Sequence, residues 1–135
     1  MKELRKEIVA CTYCAPHLAL GQNPVLSATK ESKIIIIGQA PGMVVHKSGI
    51  PWEDKSGDTL RAWMGIDRER FYDPLQVALI PMGFCYPGKG KSGDLPQYFV
   101  LPHPSPRNNI WQAKNTWFKT HVLPHLKTSI AKALA

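Results

Sequence analysis

Four consecutive isoleucines, Ile34 to Ile37, followed at once by Gly38, Gln39, Ala40, Pro41 and Gly42, constrain this chain more than any other stretch. An unbroken β-branched run bounded by glycine and proline predicts a strand buried on both faces, the habit of a parallel α/β sheet. In open α/β sheets, ligands bind beyond the carboxyl ends of the strands, so the Gly38 turn is a candidate site. By itself a plain glycine-bearing turn would explain it better. It gains weight from a second polar loop, His103-Pro104-Ser105-Pro106-Arg107-Asn108, which also follows an apolar run, residues 98–101. Two such loops can face one crevice.

The 135 residues suit a single domain over 1–135, long enough to bury a core. Seventeen basic residues against ten acidic ones leave a formal charge of +7, and the asymmetry is regional. Asp94 is the last acid, whereas Arg107, Lys114, Lys119, Lys127 and Lys132 follow it unbalanced. That pattern suits a phosphate-rich partner, although a solvated basic helix has the same composition. No secretory leader or spanning apolar run is visible, and the expected location is the cytoplasm. Cys11 and Cys14 form a C-x-x-C pair, with Cys85 far downstream. In a reducing compartment such a pair points to metal, cluster or redox work rather than a disulfide.

Along the chain, residues 2–10 predict a short charged helix and residues 11–24 a loop. A long loop is expected over residues 43–55, then a helix from Thr59 capped by Ser56 or Asp58 and ending near Gly65. Residues 76–82 predict a second strand and residues 98–101 a third. A last helix aligns Phe118, Val122, Leu126 and Ile130, with Pro124 expected to kink it.

Together, these motifs resemble the uracil-DNA glycosylase superfamily, most of all its bacterial and archaeal iron-sulfur branch. Gly38-Gln39-Ala40-Pro41-Gly42 is similar to that family's first motif, and His103-Pro104-Ser105-Pro106 to its second. Gly49-Ile50-Pro51-Trp52 is similar to the branch's aromatic loop, and Cys11, Cys14 and Cys85 to three of its four cluster cysteines. The resemblance implies a three-layer αβα fold with a short parallel sheet. It also implies an internal gap near residues 95–97, where relatives carry an inner strand, its helices and the fourth cysteine. A 4Fe-4S cluster would be the family cofactor, with an incomplete ligand set here.

By the same resemblance the protein is a monomeric DNA-repair glycosylase that removes uracil or a related deaminated base by flipping it from the stack. His103 would donate a hydrogen bond to the uracil anion, with Gln39 reading the base edge or positioning water. Gly38, Ala40, Pro41 and Gly42 would line the base slot, and Trp52 would stack on the ring, worth ~1–3 kcal/mol. Ser105, Arg107 and Asn108 would hold phosphates. Ala40 replaces the water-activating Asp or Asn of some branches, so water is expected to be positioned rather than deprotonated. The alternative is a shortened, weakly active or inactive relative that binds nucleic acid through its basic C-terminal third.

Overall fold

The computed structural model describes residues 2–88, 104 and 109–135. An N-terminal helix α1 (Lys2–Val9) and a single 3-10 turn (Ala15–His17) precede the sheet. Strands β1 (Ile34–Gly38) and β2 (Val77–Pro81) pair in parallel, with Ile34 opposite Val77 and Gly38 opposite Pro81. Between them run α2 (Met43–Ser48), α3 (Lys55–Met64) and α4 (Arg68–Tyr72). The helices α5 (Asn109–Lys114) and α6 (Leu123–Leu134) close the chain, separated by a π-helical turn, Phe118–Val122. This is a mixed α/β fold with a short parallel sheet, as the isoleucine run and its turn implied.

The two edges of β2 are both engaged. Beyond the β1 pairing, Ser27 forms an antiparallel bridge with Leu79, each backbone N–H donating to the other's carbonyl at 3.0 and 2.6 Å. In the main core cluster Phe71, Val77, Leu79 and Phe118 are essentially inaccessible, and Leu60, Trp63, Met64 and Ile130 join them. Trp63 meets Phe118 edge-on at 5.1 Å, so α3 and the π-helical turn lock together through aromatic contact.

Several expectations need correction. The isoleucine run is not buried on both faces: Ile34 and Ile36 pack against the core, but Ile35 and Ile37 are 62% and 68% exposed. A β-branched run reports strand propensity regardless of how many faces are covered; β2, with Val77, Ala78 and Leu79 all buried, is covered on both, whereas β1 is not. The expected loop over residues 43–55 contains α2, held by Val45, which is buried, and closed by Gly49 in the left-handed region at φ 70°. Helix α3 begins at Lys55 rather than Thr59, and Asp54, not Ser56 or Asp58, caps it by accepting from Gly57 N–H at 3.0 Å. Its expected end at Gly65 is where the chain turns, with φ 71°.

The proline expected to kink the last helix, Pro124, stands just after the π-helical turn. It occupies the first turn of α6, where its missing N–H is tolerated, and the helix changes type there from π to α. The third strand foreseen over residues 98–101 lies outside the described residues.

Candidate active site

The Gly38 turn leaves the carboxyl end of β1 and enters α2 through Gly42, whose extended backbone (φ −79°, ψ 175°) precedes the first helical residue. Met82 N–H donates to the Gly38 carbonyl at 2.8 Å, tying the turn to the end of β2. Gln39, Ala40, Pro41 and Gly42 then form one wall of a cleft of about 220 Å³. Val25, Val45, Leu79 and Pro81 give it an apolar interior, and Pro51, Trp52, Asp54 and Ser56 complete it from the segment that enters α3.

Trp52 is the residue around which this cleft is built. It adopts φ 59°, the one non-glycine residue in the left-handed region among those described. Such a conformation costs ~1–3 kcal/mol and persists only where surrounding contacts over-determine it. Those contacts are specific. A Cβ on Gly38 would lie 2.9 Å from Trp52 Cζ2, so the indole rests directly against the strand end. A Cβ on Gly57 would lie 1.8 Å from the Trp52 carbonyl oxygen, so α3 can approach only because residue 57 has no side chain. On the next residue, Glu53 forms an ion pair with Arg68 at the start of α4.

A cationic and aromatic cluster supports that frame. Arg61 is buried, its guanidinium ion-paired to Asp58 and donating to Tyr72 Oη at 3.2 Å. It also sits over the Phe71 and Tyr72 rings at 5.2 and 5.6 Å, and Arg68 lies 5.0 Å from the Tyr72 ring centroid. The buried Arg61 therefore has partners that offset its desolvation, while Arg68 is exposed. Burial pushes the Tyr72 phenol above its ordinary range, with the Arg61 charge pulling the other way. The hydrogen bond from Arg68 to Glu53 raises the Arg68 guanidinium still further above its usual value.

Of the residues singled out in the sequence, Gln39, Ala40, Pro41, Gly42 and Trp52 meet at this cleft, and Gly38 lies beneath the indole. His103, Ser105, Arg107 and Asn108 lie outside the described residues; Pro104 of the same motif is buried. Cys11 and Cys14 are exposed and Cys85 is half-buried, all as free thiols. Among the described residues, no three His, Cys, Asp or Glu side chains are gathered at metal-binding spacing. Asp54 was not singled out in the sequence, although it is the carboxylate on the cleft wall. Its position before Lys-Ser-Gly was a legible cap signal, obscured by the glycine in the first turn.

A family model of the uracil DNA glycosylase superfamily matches residues 24–97, more than half of the chain. The chain belongs to that superfamily. The matched span of this superfamily member holds both strands, the Gly38 turn and the whole Trp52 segment, so every residue lining the cleft falls within it. Among the described residues, no helix of this glycosylase relative is long and apolar enough to cross a membrane.

Proposed function

We propose that this protein removes uracil, or a related deaminated base, from DNA by receiving the flipped nucleotide in the cleft between the Gly38 turn and Trp52. The observation that carries this reading is the clamped indole. A left-handed tryptophan, fitted against two glycines, walls a cleft smaller than the roughly 300–1,000 Å³ of typical drug-sized ligand sites. A flat ring is the ligand such a slot suits. Stacking on Trp52 would offset the energy of unstacking the base, and the backbone amides of Gln39 and Ala40, on the cleft wall, would donate to its carbonyls.

Cleavage of the glycosidic bond leaves an oxocarbenium-like sugar and an anionic base. The side-chain donor to that anion is assigned to His103, with Ser105, Arg107 and Asn108 on flanking phosphates. Ala40 has no carboxylate, and Asp54 fills that role here. One of its oxygens accepts from Gly57 N–H, leaving the other to orient a water toward the sugar carbon. The proton released as water adds ends on solvent or on the departing base, so the step balances without a cofactor.

The test is incubation with a labelled oligonucleotide carrying one uracil, followed by alkali. Strand breaks at the uracil are expected, and Gln39→Ala and His103→Ala should each suppress them. A folded wild-type protein that leaves the uracil in place, in single- and double-stranded substrates alike, refutes the proposal in favour of an inactive relative.

A further inference from the structure

Far along the chain from the Gly38 turn, Trp111 on α5 and Trp117 just before the π-helical turn stand edge-on to each other with ring centroids 6.0 Å apart. Both also pack edge-on against Phe118, at 5.8 and 6.4 Å. Phe118 already fills the core position and is wholly buried, yet Trp111 and Trp117 remain 37% and 47% exposed. Their setting is rigid. Trp117 Nε1–H donates to Asn115 Oδ1 at 3.2 Å, and Asn115 Nδ2 donates to the Trp111 carbonyl at 2.8 Å. Ile110 beside them is also exposed.

The electrostatic background is one-sided. Residues 109–135 carry four lysines and two histidines and no acid, and Lys114 and Lys119 flank the tryptophans as exposed side chains. Exposed apolar rings on an acid-free cationic surface match a ligand that offers both flat faces and regular negative charge. Single-stranded DNA has both, because its bases stack on aromatic side chains while its phosphates pair with lysine. A duplex hides the base faces. Rings already fixed by a buried phenylalanine and by Asn115 lose little entropy when a base settles on them.

We propose that Trp111 and Trp117, with Lys114 and Lys119, form a stacking platform for single-stranded DNA. The proposal adds a strand preference to the function inferred above, and it stands or falls separately, because its probe contains no uracil. Fluorescence anisotropy of a labelled oligothymidine, titrated over a range of potassium chloride concentrations, is the measurement. Binding should quench tryptophan emission, exceed binding to a duplex of the same length, and weaken about 5- to 150-fold in Trp117→Ala. The Lys114→Gln, Lys119→Gln double variant should lower the slope of log affinity against log salt by about 1.4, roughly 0.7 for each phosphate that a lysine no longer neutralises. Should Trp117→Ala melt without cooperativity, Trp117→Tyr replaces it and should bind nearly as wild type, since a ring is retained. Unchanged affinity and salt slope in the lysine double variant, or equal binding to duplex without quenching, overturns the platform. A wild type that binds the probe but spares uracil refutes only the glycosylase assignment.

Discussion

The Trp52 carbonyl oxygen lies 1.8 Å from where a side chain on Gly57 would begin. Alanine in place of glycine within a helix normally stabilises by about 1 kcal/mol. Here the sign should invert. The clash is with backbone, and Trp52 is held in turn by the Gly38 contact, so neither side can yield cheaply. Gly57→Ala should lower the urea midpoint, by an amount equivalent to about 1–3 kcal/mol as in other overpacked sites, and should abolish base release with it.

Asp54 separates into a cap and a cleft carboxylate by substitution. Asn caps as well as Asp, whereas Ala forfeits the bond to Gly57 N–H and about 1 kcal/mol of stability. Asp54→Asn should therefore melt like the wild type but release base more slowly, and Asp54→Ala should lose both. Equal rates in wild type and Asp54→Asn would remove the carboxylate from the mechanism.

Tyr72 makes stability fall at high pH. Its folded value is raised by burial, so between the free tyrosine value near ~10 and the folded one the native state holds a proton that the unfolded chain has released. The contribution is complete below about pH 10 and is lost as pH climbs through the folded value. Chemical denaturation of wild type and Tyr72→Phe at successive pH values isolates it. The difference between them should shrink above about pH 10, while below that pH Tyr72→Phe should be the less stable for want of the Arg61 hydrogen bond.

The two faces of β1 should respond differently to the same change. Ile36 packs against the core cluster and Ile35 is exposed. Ile36→Thr should destabilise by about 1–3 kcal/mol, as for a polar group placed against apolar neighbours, and Ile35→Thr by no more than about 0.5 kcal/mol. Equal losses in thermal melts would mean that both faces are covered in solution.

Local chemistry was enough to locate much of this protein. The β-branched run, the Gly38 turn and the helix end at Gly65 follow from steric preferences of neighbouring residues, so they can be read without the fold, whereas α2 and its cap at Gly49 could not be. The superfamily motif around Gln39 is legible for the same reason, being contiguous in the chain. Which face of β1 is buried could not be read, because Ile35 and Ile36 are chemically identical and only the packing of α3 and α6 distinguishes them. Nor could the start of α3: Gly57 looks like a helix breaker until the Trp52 carbonyl is seen to occupy the space of its side chain. The cleft itself is a tertiary object, since it depends on an indole in a costly backbone conformation that its own sequence disfavours and that only contacts with Gly38 and Gly57 sustain.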